Sequence, residues 1–132
     1  MAEPTTPMPE LIFQEEAYAI VGAAMDVYYT MGVGFVEPVY HSAMIVELDR
    51  RRIPFESEKE LELYYKDIKL EKKYFADFVC YSQIVVELKV VPRITNIEVA
   101  QLINYLKITR HRLGLLVNFG ARPTLEWKRY VI

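Results

Sequence analysis

The chain contains one cysteine, Cys80, among its 132 residues. An internal disulfide is therefore excluded, and so is a zinc site built from cysteines. Long apolar runs are also missing, since no stretch reaches the length of a membrane span. The opening segment, Met1 to Pro9, lacks the basic-then-apolar order of a signal peptide. It is rich in proline and threonine and reads as a loose tail ahead of one domain over residues 10–132. A strong charge of one sign is absent as well. The formal net charge is −2, which does not suit a broadly basic nucleic-acid coat protein. No internal repeat and no second-domain boundary can be read. These features are those expected of a soluble protein of a reducing cytoplasm.

What is present is a core-forming chain. Hydrophobic residues make up 52%, too many for a disordered polymer, and the length suits a single real core. Residues Glu10 to about Thr30 read as a helix, with Ala17, Tyr18, Val21, Ala24, Met25 and Tyr28 at three- and four-residue intervals. Met31-Gly32-Val33-Gly34 breaks it. A second helix starts near Glu37-Pro38 and ends in Arg50-Arg51-Arg52, where cations suit the helix dipole. Phe55 to Tyr65 reads as a strand, with Ile68 to Lys73 as a turn or short extension. Two further strands follow around a turn near Ser82. Thr95-Asn96 can cap a third helix running to about Thr109, and Leu113–Phe119 and Leu125–Ile132 read as strands. The order αα-βββ-α-ββ predicts a mixed α/β (α+β) fold, a sheet with helices packed on it.

The chemistry-bearing oddity lies in the hairpin Tyr74 to Val91. Both of its strands are β-branched and aromatic, yet they carry Asp77, Glu87 and Lys89. A turn centred near Ser82 places Asp77 across from Glu87. Glu87 and Lys89 are two apart on one strand and so project from the same face. Facing carboxylates repel, and a buried lysine is costly without a partner. A divalent cation offsets that cost, and carboxylates are hard oxygen ligands that suit Mg2+ or Mn2+. Lys89 would then hold or help deprotonate an attacking water, or neutralise a phosphate. A buried salt bridge between Lys89 and one acid is the plain structural alternative, which leaves one carboxylate over.

The third helix places Glu98, Gln101 and Tyr105 on one flank, beside the apolar Val99, Leu102, Ile103 and Leu106. Gln101 and Tyr105 thus border the sheet, although an ordinary amphipathic helix has the same pattern. Glu37 sits at a helix start, where the dipole favours a carboxylate without any function. Basic clusters such as Lys72-Lys73 and Arg110-His111-Arg112 read as solvated helix ends and turns, or as phosphate-contacting edges.

A family resemblance runs through these segments. Gly34-Phe35-Val36-Glu37-Pro38-Val39-Tyr40 resembles the signature of the GxxExxY protein family, with Gly34, Glu37 and Tyr40 at the defining places. The ordered set IPFESE, ADFVC, IVVELK, AQLINYLK and GLLVNFG extends that resemblance over roughly Leu11 to Ile132. The family is similar to the PD-(D/E)XK nuclease superfamily, whose core is a restriction-endonuclease-like mixed sheet flanked by helices. The resemblance implies that Asp77 is the first acid, Glu87 the second, and Lys89 the lysine of the motif. It also implies that Glu37 is an extra helical acid and that Gln101, Tyr105 and Tyr40 border the site. The implied activity is hydrolysis of phosphodiester bonds in nucleic acid, DNA ahead of RNA, with Mg2+ or Mn2+ held by Glu37, Asp77 and Glu87. A non-catalytic nucleic-acid-binding or protein-interaction module on the same fold is the alternative. Two positions depart from the family pattern: Tyr28 stands where histidine is common, and Phe75 where a basic residue precedes the Ala-Asp pair. Small domains of this kind often pair, so a homodimer is expected as one way to cover a duplex. Tyr64-Tyr65 and Trp127 are candidates for that contact, with core or sheet-face packing the more ordinary role.

Overall fold

Residues 12–132 are described by a computed structural model, so the tail expected at Met1–Pro9 lies outside the described residues. Helix α1 spans Gln14–Met31 and buries Ala17, Ile20, Val21, Ala24, Val27 and Tyr28, the stripe its apolar spacing requires. Gly32 ends it with φ 75°, a left-handed conformation that glycine adopts without steric cost. Helix α2 spans Glu37–Arg50, with proline in its first turn and Glu37 at its positive dipole end. Its buried stripe is Tyr40, Met44 and Leu48.

Strand β1 (Phe55–Leu61) is followed by two short strands, β2 (Tyr64–Tyr65) and β3 (Ile68–Lys69). Next come β4 (Tyr74–Cys80), β5 (Ile84–Lys89), helix α3 (Asn96–Thr109), β6 (Leu113–Asn118) and β7 (Glu126–Val131). The main sheet has five strands in the order β1-β4-β5-β6-β7. Only β5 and β6 are parallel, and α3 provides the crossover that a parallel pair needs. A capping box between Thr95 and Glu98 starts α3.

The sheet is covered on both faces, which explains why β5 and β6 are apolar almost without interruption. Phe78, Val86, Leu88, Leu115 and Val117 pack in one cluster with α1 and α2. Val79, Val85 and Leu116 pack in a second cluster with Leu102 and Leu106 of α3. The alternation fixes register, because a one-residue slip would move each set to the wrong face.

The strand expected over Phe55–Tyr65 is shorter than its sequence pattern. It stops at Leu61, whose partner is Tyr74, the first residue of β4, so the ladder has nothing further to pair with. Tyr64 and Tyr65 instead pair with Ile68 and Lys69 in a separate small hairpin. Both tyrosines are exposed rather than packed on the core. The first helix starts at Gln14 among the described residues, and the expected Glu10 and Leu11 lie outside them. Among the described residues no helix is long and apolar enough to cross a membrane.

Candidate active site

The β4–β5 turn determines which acids meet. Tyr81 and Ser82 have φ 55° and 59°, the consecutive left-handed pair of a tight hairpin turn. The Gln83 N–H bonds to the Cys80 carbonyl at 3.0 Å. The strands then pair as Cys80↔Ile84, Val79↔Val85 and Phe78↔Val86. Carried one step further, this register sets Asp77 opposite Glu87. The backbone ladder stops there, and the Asp77 carboxylate takes over by accepting the Leu88 N–H through Oδ2 at 2.8 Å. Asp77 is thereby held rigidly at the point where the strands separate.

Glu87 is 7% exposed, and its Oε1 is buried without a hydrogen-bond partner among the described residues. Burial is the main reason its pKa is pushed up to about 9, with the Asp77 charge next. Glu37 is also raised, first by burial and then by Asp77, while Lys89 and His41 pull it the other way. Three carboxyl groups on α2, β4 and β5 therefore sense one another. Lys89 forms no ion pair with any of them within 4.0 Å among the described residues. Its Nζ donates to Gln101 Oε1 on α3 at 3.3 Å. The salt-bridge alternative for Lys89 is thus not the arrangement found. Tyr105 stands on the same flank of α3, its ring centroid 5.0 Å from that of Tyr74. Its phenol pKa is raised by burial and then by the neighbouring Glu87.

Tyr40 lies elsewhere. It is fully buried, stacks on Phe119 at 4.6 Å, and donates its hydroxyl to the Gly32 carbonyl at 2.6 Å. The same oxygen accepts the Phe35 N–H at 3.4 Å. Tyr40 therefore braces the Gly32–Val36 loop ahead of Glu37 and does not line the acidic cleft. Tyr28, at the first departure from the family pattern, is buried and donates to the Ala121 carbonyl at 2.6 Å. Phe75, at the second, is an exposed side chain on β4.

A cleft of about 220 Å³ opens between α2 and the β1–β4 edge, lined by Glu37, Pro38, His41, Ser42, Glu58 and Asp77. The sequence pattern does not single out His41. Its Nδ1 lies 3.3 Å from Asp77 Oδ1 and its Nε2 2.9 Å from Ser57 Oγ. The ring stacks on Phe78 at 4.5 Å. The available signal was its position four residues after Glu37, on the same helix face. Glu58 faces the cleft from β1 with φ 51°, uncommon for a non-glycine residue and costly within a strand.

Among the described residues no three His, Cys, Asp or Glu side chains already converge as a cation cage. The donor set nevertheless fits one. It is made of hard carboxylate oxygens, one of them buried and unpartnered, in a site where uncompensated negative charge is strongly disfavoured. A divalent cation would supply the missing partner.

Comparison with known proteins agrees with this architecture. A search of curated proteins finds no match. Among solved structures, a crystal structure of SSO0001 superposes with a TM-score of 0.57 at 19% identity, covering 90% of this chain. The matched region is 57% of the SSO0001 chain, and the likeness establishes the shared fold. The sequence profile of the PD-(D/E)XK nuclease superfamily matches residues 14–130, which takes in α1, α2 and α3, the hairpin and its three charged residues. The chain belongs to the PD-(D/E)XK nuclease superfamily.

Proposed function

We propose that the protein is a Mg2+- or Mn2+-dependent nuclease of the GxxExxY type that hydrolyses phosphodiester bonds in DNA. The observation that carries this reading is the buried Glu87 carboxyl group, its Oε1 without a hydrogen-bond partner among the described residues, beside Asp77 and Glu37 and with Lys89 on the same strand. Glu37, Asp77 and Glu87 would hold the cation. When bound, it polarises the phosphate and lowers the pKa of a water.

The chain's own residues supply the rest. The Leu88 N–H and the His41 ring fix the two oxygens of Asp77. Gln101 holds the Lys89 ammonium, so that one cation faces the phosphate without being neutralised by the acids. Such preorganised charge is the main contribution a protein makes to phosphoryl chemistry. The test is Mn2+-dependent nicking of plasmid and cleavage of single strands, compared with Asp77→Asn and Lys89→Ala. Absence of metal-dependent cleavage by a folded protein on every nucleic acid would sink the reading.

The second reading is a non-catalytic nucleic-acid-binding or protein-interaction module on the nuclease fold. It is favoured by the carboxyl groups not yet converging as a cage. Calorimetry separates the two, because the second predicts no Mn2+ isotherm and no loss of one in Glu87→Ala.

A further inference from the structure

A second groove is built from chain segments next to Glu37 and Lys89. Its volume is about 450 Å³, and its walls include Gly34, Val90, Pro92, Gly120 and Arg122. Gly34 precedes Glu37 by three residues, and Val90 follows Lys89 directly, so two of its wall segments continue in the chain into the segments that carry these site residues. At its outer end it shares Pro92 and Arg122 with a further depression of about 410 Å³ that also contains Arg93. Arg93 and Arg122 are both exposed, and neither makes an ion pair among the described residues. Glu126 borders this end, but its Oε1 is engaged by the Ile94 N–H at 2.8 Å and by Asn118 Nδ2 at 3.0 Å.

The groove is built rather than incidental. The buried Asn118 side chain accepts from the Val91 and Gly120 N–H groups at 3.0 Å each and donates to the Val91 carbonyl at 2.8 Å. The two loops that form its walls are thus joined through one amide. Gly120 permits the contact, since a Cβ there would lie 2.6 Å from the Val91 carbonyl oxygen. Next in the chain to the wall residue Gly34, Phe35 stands 43% exposed, held edge-on against buried Tyr40 with ring centroids 6.0 Å apart. An aromatic surface fixed in this way suits stacking of an unpaired base.

The opposite side of the cleft has a different character. Strand β1 presents Glu56, Glu58 and Glu60, and the nearby Lys59, Lys69 and Lys73 pair with Glu56 or Glu60. Glu58, which lines the cleft, makes no such pair. Arg93 and Arg122 thus offer exposed cations without an ion pair among the described residues, whereas the acidic β1 edge repels a second phosphate backbone.

We infer that the Gly34–Arg122 groove seats a single strand of DNA, with Arg122 and Arg93 on its phosphates and the exposed ring of Phe35, beside Gly34, stacked on a base. This rests on the nuclease reading of the adjacent site but is measurable without cleavage. The experiment is fluorescence anisotropy of labelled oligo-dT, oligo-rU and a blunt duplex, each of about 20 nucleotides, in EDTA at several salt concentrations. Wild-type protein should bind oligo-dT more tightly than the duplex. Arg93→Ala/Arg122→Ala should weaken oligo-dT binding at least tenfold and reduce the salt slope by about 1.4, the value for two lost phosphate contacts. Phe35→Ala should weaken it about tenfold with little change in slope. Arg50→Ala, an exposed change at the far end of α2, should stay within twofold. All these side chains are exposed, so folding is expected to survive, and circular dichroism checks it. Oligo-dT binding by the double variant within twofold of wild type overturns the assignment, as does tighter binding of duplex or oligo-rU, or no binding at all. Loss of binding in the variants, with no cleavage by wild-type protein under Mn2+, leaves the groove standing and removes the nuclease reading instead.

Discussion

Asp77 replaces a strand-to-strand backbone bond with its own side chain, accepting the Leu88 N–H at 2.8 Å one step beyond the last paired residues of the hairpin. The carboxylate thus has two separable jobs, bracing β5 and carrying negative charge. Asp77→Asn can keep an amide oxygen on the Leu88 N–H but loses the charge. It should abolish Mn2+-dependent cleavage, by at least about a hundredfold, with thermal stability near wild type. Asp77→Ala should lose activity to the same extent and also about 1–3 kcal/mol of stability, because the Leu88 N–H is left unpaired. Plasmid nicking and thermal melts of the two variants separate the roles.

Glu87 makes the metal-free protein sensitive to pH. Its folded pKa is raised to about 9 from the ordinary carboxyl value of 4.5, so the folded state binds a proton that the unfolded state releases. The associated stability is fully present below about pH 4.5 and is lost as pH rises through about 9. The slope in that window is at most about 1.4 kcal/mol per pH unit for this one group. Glu87→Gln should flatten it, giving a higher melting temperature than wild type at pH 8.5 in EDTA. Mn2+ should stabilise wild type more as pH rises, because the cation competes with the proton. An unchanged pH slope in Glu87→Gln would refute the assignment of that proton.

The hairpin could be read from sequence because its information is local. β-branched runs with a turn at Ser82 determine the register, and the register carries Asp77 to Glu87. Residues whose role depends on distant elements could not be read in this way. Tyr40 shares the signature segment with Glu37, and the resemblance implied a place at the site border. The helix turns Tyr40 into the core against Phe119, a contact between residues far apart in the chain. His41 looked like one more helix residue. Its value arises only where α2 crosses β1 and β4 and brings Ser57 and Asp77 to its two nitrogens. The continuation of β1 past Leu61 failed for a similar reason, since alternation does not reveal where a partner strand begins.

On the proposed nuclease reading, with Asp77 holding the cation, His41 acts as a positioning residue through its contact with Asp77. Removing the ring in His41→Ala should weaken Mn2+ affinity about 10- to 100-fold, the usual effect of losing an outer partner of a metal ligand. The ring also stacks on Phe78, so a stability loss alone would indicate only packing. Titration calorimetry with Mn2+ distinguishes the two. His41→Asn keeps a hydrogen-bonding group and should recover part of the affinity, whereas His41→Phe should keep the stack and recover none. Wild-type Mn2+ affinity in all three variants would remove His41 from the site.

Gly120 offers a test of how rigid the wall beside Lys89 must be. A methyl group there would lie 2.6 Å from the Val91 carbonyl oxygen and 2.7 Å from its nitrogen, both backbone atoms that cannot rotate away. The same loop is tied to Asn118, and the Phe119 N–H bonds to the Lys89 carbonyl at 2.8 Å. Gly120→Ala must therefore push the residue 90–91 backbone outward and strain the end of β5. The expected cost is about 1–3 kcal/mol by denaturant unfolding, typical of overpacking against a fixed neighbour. Because Lys89 lies at the strained end and Glu87 two residues further in, cleavage should fall more than Mn2+ affinity does. Equal losses in both would mean that the strain reaches the carboxylates and that β5 moves as one piece.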